Sequence, residues 1–154
     1  ESIQCGEMVG DILVKSSTLN AVDISGSIIA NIIDEIPVLC IAAACANGTT
    51  KISDAQELRV KESDRLEAIG KGLSSLGVQN ELFADGISIK GGIPSHTKPI
   101  EIDSYGDHRI AMSFLISSLK IKQGVIVDDC KNIYTSYPNF IETMNSLGMQ
   151  INAE

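Results

Sequence analysis

Two pentapeptides constrain the architecture of this 154-residue chain more than any other feature: Ser75-Leu76-Gly77-Val78-Gln79 returns as Ser146-Leu147-Gly148-Met149-Gln150. The spacing of glycines agrees. Gly48 and Gly124 stand 76 residues apart and Gly77 and Gly148 71 apart, so the second copy is slightly shorter between those points. The repeat predicts about two copies of a strand–helix–strand–helix–strand unit, over about residues 10–92 and 99–152. Repeating units bury their apolar faces against each other. Two units of roughly 70 residues are too few and too large for a solenoid. The predicted class is therefore α/β (α+β), with sheet and helix layers.

Within the first copy, residues 11–15 (DILVK) read as a strand, being apolar and β-branched. Asp34 is placed to cap a helix that carries Pro37 in its first turn, runs through the apolar stretch 38–46 and stops at Asn47-Gly48. Residues 49–53 predict a short strand. Leu66, Ile69, Leu73 and Leu76 recur at helical spacing and predict a helix over about 60–76. Residues 78–83 and 87–90 then form a hairpin about Asp85-Gly86, with a loop marked by Gly91-Gly92, Pro94 and Pro99. In the second copy Asp107 caps a helix through about Leu119, and residues 124–128 (GVIVD) form a strand. Thr135 or Ser136 caps a last helix, with Pro138 in its first turn and Leu147-Gly148 at its end.

Charge narrows the partners. Twelve basic against twenty acidic residues give a net charge of −8, with a pI near 4.7. Nucleic acid and acidic membrane surfaces need clustered positive charge and are not expected partners. The longest apolar run, 36–46, is too short for the ~20 residues of a membrane span. No signal peptide is visible, and a start at Glu1 rather than Met suggests a processed chain or a piece of a longer one. Cys5, Cys40, Cys45 and Cys130 lack CxxC spacing and there are only two histidines, so no metal site is expected. Cys40 and Cys45 read as small buried apolar residues in a reducing compartment, the cytoplasm.

Three polar clusters stand at or near predicted helix starts. Asp34-Glu35 precedes Ile36-Pro37, and taken alone it is a helix cap. Residues 57–65 (ELRVKESDR) place Lys61 and Arg65 on one helical face with Glu62 nearby. Such a run is ordinarily a solvated face. It equally offers two cations and a carboxylate to an anionic ligand that must gain or lose a proton. In the third, Tyr105-Gly106-Asp107-His108-Arg109, basic side chains in a first turn oppose the helix dipole. Arg109 is better explained by an anion that the helix N-terminus also attracts. Arginine forks grip carboxylate and phosphate in a bidentate way that lysine cannot.

Together these stretches (IDEIPVL at 33–39, ELRVKESDRL at 57–66, GDHRIAM at 106–112, TSYP at 135–138) resemble the 5-enolpyruvylshikimate-3-phosphate synthase family. The similarity runs over about residues 10–151 and corresponds to the C-terminal part of that enzyme. The ELRVKESDRL form and Thr135 look more like its glyphosate-insensitive bacterial subgroup. The resemblance implies the enolpyruvyl transferase fold of two lobes, each of three βαβαββ units, of which this chain would hold about two from one lobe. It implies transfer of the enolpyruvyl group of phosphoenolpyruvate to the 5-hydroxyl of shikimate 3-phosphate, in aromatic amino acid biosynthesis, with no metal or organic cofactor. By the same resemblance Asp34 is the base and a shikimate ligand, and Glu62 protonates the methylene carbon. Lys61 lies near shikimate 3-phosphate, Arg65 and Arg109 hold phosphoenolpyruvate, and His108 supports from behind. Thr135 stands where many members carry a lysine. The other substrate ligands belong to the N-terminal lobe, which is missing here, so the chain alone is expected to be inactive. Two alternatives stay open: a non-catalytic binding module of the same fold, and the related UDP-N-acetylglucosamine enolpyruvyl transferase, against which RVKESDR and GDHR speak.

Overall fold

The computed structural model describes residues 2–153. A short antiparallel pair, β1 (Ser2–Gln4) and β2 (Glu7–Val9), opens the chain. Then come β3 (Asp23–Ile24), α1 (Ile28–Ile32), α2 (Ile36–Ala44), β4 (Thr49–Ile52), a 3-10 turn at Gln56–Val60 and α3 (Arg65–Ser75). The hairpin β5 (Asn80–Phe83) and β6 (Gly86–Lys90) completes this half. Its sheet has the order β3-β4-β6-β5, with β3 parallel to β4 and the other pairings antiparallel. The register explains why it holds. Thr50 faces Ile89 and Ile52 faces Ile87, so alternate residues turn their side chains into the core and all four are buried.

The second half is built from β7 (Ile100–Asp103), α4 (His108–Ser117), a 3-10 turn at Ser118–Lys120, β8 (Val125–Asp128), α5 (Ile133–Ser136) and α6 (Phe140–Ser146). β7 and β8 form a separate parallel pair. Helix α2 is apolar all round, and most of it is buried, Ile36, Cys40, Ile41 and Ala44 among others. α4 crosses onto it, and Ile110 and Phe114 of α4 enter the same core as Leu66, Ile69 and Leu73 of α3. A side-chain carbon at Gly72 of α3 would lie 2.1 Å from the Phe114 ring, so glycine is what lets α3 and α4 approach. Among the described residues no helix is long and apolar enough to cross a membrane.

Several expectations are corrected. Residues 11–15 are not a strand. They pair with no neighbour among the described residues, and Ile12, Leu13 and Val14 are 90%, 80% and 85% exposed. Apolar, β-branched composition favours a strand only where a sheet edge is available. Asp34 does not cap α2; Glu35 holds that position without a side-chain bond to the helix N–H groups, and the Asp34 carboxylate is drawn to basic side chains. The helix expected from Val60 starts at Arg65, because the Asp64 carboxylate accepts the Glu67 N–H and caps it there. Lys61 and Glu62 therefore lie on a loop and do not share a helix face with Arg65. The hairpin turn is Ala84-Asp85, one residue earlier than expected. Gly86 is instead the first residue of β6, where a side-chain carbon would lie 1.9 Å from the Ile52 carbonyl oxygen. Thr135 and Ser136 fall inside α5 rather than capping a helix, and Asn139 precedes α6. The second half shows no closing strand among the described residues, whereas it does contain β7, which the loop-like composition around Pro99 concealed.

Candidate functional site

Three helix N-termini converge on one guanidinium. Arg65 is the first residue of α3, Asp34 lies just ahead of α2, and Asp107 caps α4. The Arg65 side chain is 1% exposed and donates in three directions: Nε to Asp107 Oδ2 at 2.7 Å, Nη1 to Asp34 Oδ1 at 2.9 Å and Nη2 to Glu62 Oε2 at 2.5 Å. A buried charge without such partners would be strongly disfavoured. Burial works against the Arg65 charge, but the hydrogen bond and charge of Asp107, with Asp34 and Glu62 behind them, outweigh it and hold the guanidinium more firmly protonated than usual.

Asp107 is fully buried and its acceptors are well used. Oδ2 takes Arg65 Nε and the Ser63 hydroxyl at 3.2 Å; Oδ1 takes the backbone N–H of Arg109 at 2.9 Å and of Ile110 at 3.4 Å. One carboxylate thus caps α4 and fixes Arg65 on α3. The turn ahead of it is unusual, since Tyr105 adopts φ 53°. Its N–H is received by Asp103 Oδ1 at 2.7 Å, which stabilises that conformation.

Arg109 reaches back across the helices. Nη1 donates to the Asp34 carbonyl oxygen at 2.8 Å and to Glu35 Oε1 at 3.2 Å, while Nη2 lies 3.5 Å from Asp34 Oδ2. Lys61 Nζ is 3.8 Å from Asp34 Oδ1. Asp34 therefore gathers three cations. Burial pushes its carboxyl up, yet the Arg65 hydrogen bond and the charges of Arg109, Lys61 and Arg65 prevail and hold it below the ordinary aspartate value. It is ionised at neutral pH. His108, half-buried, is the first residue of α4 beside Arg109. The loop that carries Lys61 and Glu62 is pinned by Arg59, which donates to the carbonyls of Phe83 and Ala84 and to Asp64.

The geometry brings Asp34, Lys61, Glu62, Arg65 and Arg109 into one cluster, as the sequence motifs required. Thr135 is exposed on α5, and among the described residues its side chain makes no hydrogen bond to that cluster. Sequence reasoning missed Ser63 and Glu35 as cluster members and treated Asp107 as a cap alone. The signal for Asp107 was present: an aspartate two residues before an arginine that opposes the helix dipole. Among the described residues no group of three or more His, Cys, Asp or Glu side chains is placed to hold a metal ion. Cys40 is buried and its thiol is pushed up to about 12 by burial alone, so it is no nucleophile. A groove lined by Cys45, Gly48, Gly92 and Lys120 lies at the other end of α2 and takes in none of these residues.

The chain is a mixed α/β layer structure with a carboxylate–arginine cluster at converging helix N-termini. The family model for EPSP synthase (3-phosphoshikimate 1-carboxyvinyltransferase) matches residues 4–144, and the chain belongs to that family. It is 49% identical over 148 residues to a 3-phosphoshikimate 1-carboxyvinyltransferase of Ruthia magnifica subsp. Calyptogena magnifica, covering 96% of this chain and 34% of that protein. It is 50% identical over 144 residues to the protein of the same name from Synechococcus sp. (strain JA-3-3Ab), covering 92% and 32%. A 2.37 Å structure of EPSP synthase from Acinetobacter baumannii superposes with a TM-score of 0.81 at 39% identity, over 88% of this chain and 32% of that one. The fold is thus that of the enolpyruvyl transferases. The chain spans about a third of the length of the curated relatives it matches.

Proposed function

We propose that this chain supplies one side of the active site of a 3-phosphoshikimate 1-carboxyvinyltransferase, as the C-terminal portion of such an enzyme, with repeat units over about residues 10–92 and 99–152. The reaction moves the enolpyruvyl group of phosphoenolpyruvate onto the 5-hydroxyl of shikimate 3-phosphate. Glu62 gives a proton to the methylene carbon while the 5-hydroxyl oxygen bonds to the adjacent carbon and loses its proton to Asp34. The resulting tetrahedral adduct then returns a proton from its methyl group to Glu62 and expels phosphate, which takes up the proton held by Asp34, and the double bond is restored. Lys61, Arg65 and Arg109 hold the anionic groups, with His108 beside Arg109. No metal or organic cofactor enters this scheme. The remaining substrate ligands would come from the other lobe, and the cytoplasm is the proposed compartment.

One observation carries this reading: Asp34, Glu62, Arg65 and Arg109, drawn from three separate stretches of sequence, meet within hydrogen-bonding reach. Preoriented charge of this kind is what an addition with developing charge requires. Asp34 is ionised and can accept a proton, although its cationic neighbours make it a weak base until a substrate displaces them. The test is Glu62→Gln in the presence of the complementary lobe, read as turnover number. A loss of about 10²–10⁴-fold with substrate binding retained is expected. Full turnover by that variant would remove Glu62 from the mechanism.

A further inference from the structure

Every cation in the cluster already holds a carboxylate. Four acids (Asp34, Glu35, Glu62 and Asp107) face three bases (Lys61, Arg65 and Arg109), so with His108 uncounted the cluster is negative by one charge when every carboxyl is ionised and neutral when Glu62 holds the proton it donates. An incoming anion meets a site whose forks are occupied. The four acids are not equally free to leave. Asp107 is buried and accepts from four donors, and Asp34 is held by three cations. Glu62 bonds the buried Arg65 at 2.5 Å. Among the described residues the Glu35 carboxylate pairs with Arg109 alone, at 3.2 Å, and its side chain is 54% exposed. Exposed ion pairs are the weakest kind. The Asp34 carbonyl, bonded to the same Arg109 nitrogen at 2.8 Å, keeps the guanidinium in place when Glu35 swings away.

We propose that Glu35 is a placeholder carboxylate, which shares Arg109 Nη1 with the Asp34 carbonyl while Nη2 faces Asp34 Oδ2, and which is displaced by the anionic group that binds there. This rests on the reading of Arg109 as an anion ligand. Glu35 then acts as a selectivity device. A weakly bound anion cannot outcompete a tethered carboxylate, whereas a phosphate dianion, or a carboxylate that engages the fork with two bonds, can.

The experiment is a chemical-shift titration of the isotope-labelled chain, with the complementary lobe supplied, with inorganic phosphate and, separately, with phosphoenolpyruvate. Glu35→Gln should tighten binding about two- to fivefold, the range open to an exposed pair. Glu35→Asp keeps the charge but is one methylene shorter, and it should tighten binding as well. In an Arg109→Ala background, Glu35→Gln should bring no gain. Unchanged or weaker binding by Glu35→Gln overturns the proposal. So does a Glu35→Asp chain that binds like wild type while Glu35→Gln binds tighter, because diffuse charge rather than occupancy would then be the cause. Should Arg109→Ala bind both anions as well as wild type, the reading of Arg109 itself fails and Glu35 falls with it. Absence of binding by every chain overturns both.

Discussion

The two halves of the chain bury their helices by different means. In the first, β3, β4, β6 and β5 make a continuous sheet under α2 and α3, and most of the core lies there. In the second, β7 and β8 are a lone parallel pair, and only a small cluster of Ala111, Ile133 and Phe140 lies beneath α5 and α6. Ile126 of β8 remains half-exposed. A two-stranded sheet is marginal by itself. The second half is consequently anchored through the first, along a seam with two parts. One is polar, Arg65 on Asp107; the other is apolar, α4 packed on α2 and Phe114 on Gly72. The candidate cluster sits on the polar part, so its geometry depends on the joint between halves rather than on either half.

The polar part offers the largest expected effect. Asp107→Ala removes the Arg65 partner and the α4 cap together. Breaking a buried pair costs about 3–5 kcal/mol, and a lost cap adds about 1. Arg65 keeps Asp34 and Glu62, which points to the lower end, about 3 kcal/mol in a urea-unfolding series. A loss under about 1 kcal/mol would mean that the apolar contact alone holds the halves together.

On the apolar part a smaller loss is expected. In Gly72→Ala the new methyl group meets a Phe114 ring that is itself buried and has nowhere to go. Overpacking costs about 1–3 kcal/mol, reduced by up to about 1 for replacing a helical glycine. Adding Phe114→Leu should recover part of the loss. If Gly72→Ala proves stabilising, the helices are free to move apart and the seam is loose.

How much of this was legible in the sequence depended on whether the deciding interaction was local. The Asp107 cap, α4 and β8 follow from neighbouring residues and were read correctly. The convergence of the charged stretches was legible in part, because basic side chains at helix starts oppose the local rule and call for a negative partner, which the structure supplies as Asp34, Glu35 and Asp107. Asp34 was misassigned as a cap because its true partners are 27 to 75 residues away, in Lys61, Arg65 and Arg109. The start of α3 was misplaced because Asp64 competes with the charged run before it, and Arg59 ties that run to the β5–β6 turn. Residues 11–15 have the composition of a strand, but no composition supplies a neighbouring edge.

The smallest expected effect isolates Asp34 from the rest of the seam. Its carboxyl is pushed up by burial and, more strongly in sum, down by Arg65, Arg109 and Lys61, so in the folded chain it titrates below the ordinary value of 3.8. A depressed folded-state value adds stability that is fully present above the unfolded value and disappears as pH falls through the folded one. The advantage of wild type over Asp34→Asn should therefore be constant near neutrality and shrink only below 3.8. Because the side chain is 40% exposed, screening keeps that advantage under about 1 kcal/mol, and added salt should reduce it further. Urea midpoints of both chains at about pH 6 and about pH 3 measure it. An equal difference at both values would show that Arg65 is held by Asp107 and Glu62 alone. Asp34 would then be free of the seam, available to a substrate at no cost to the fold.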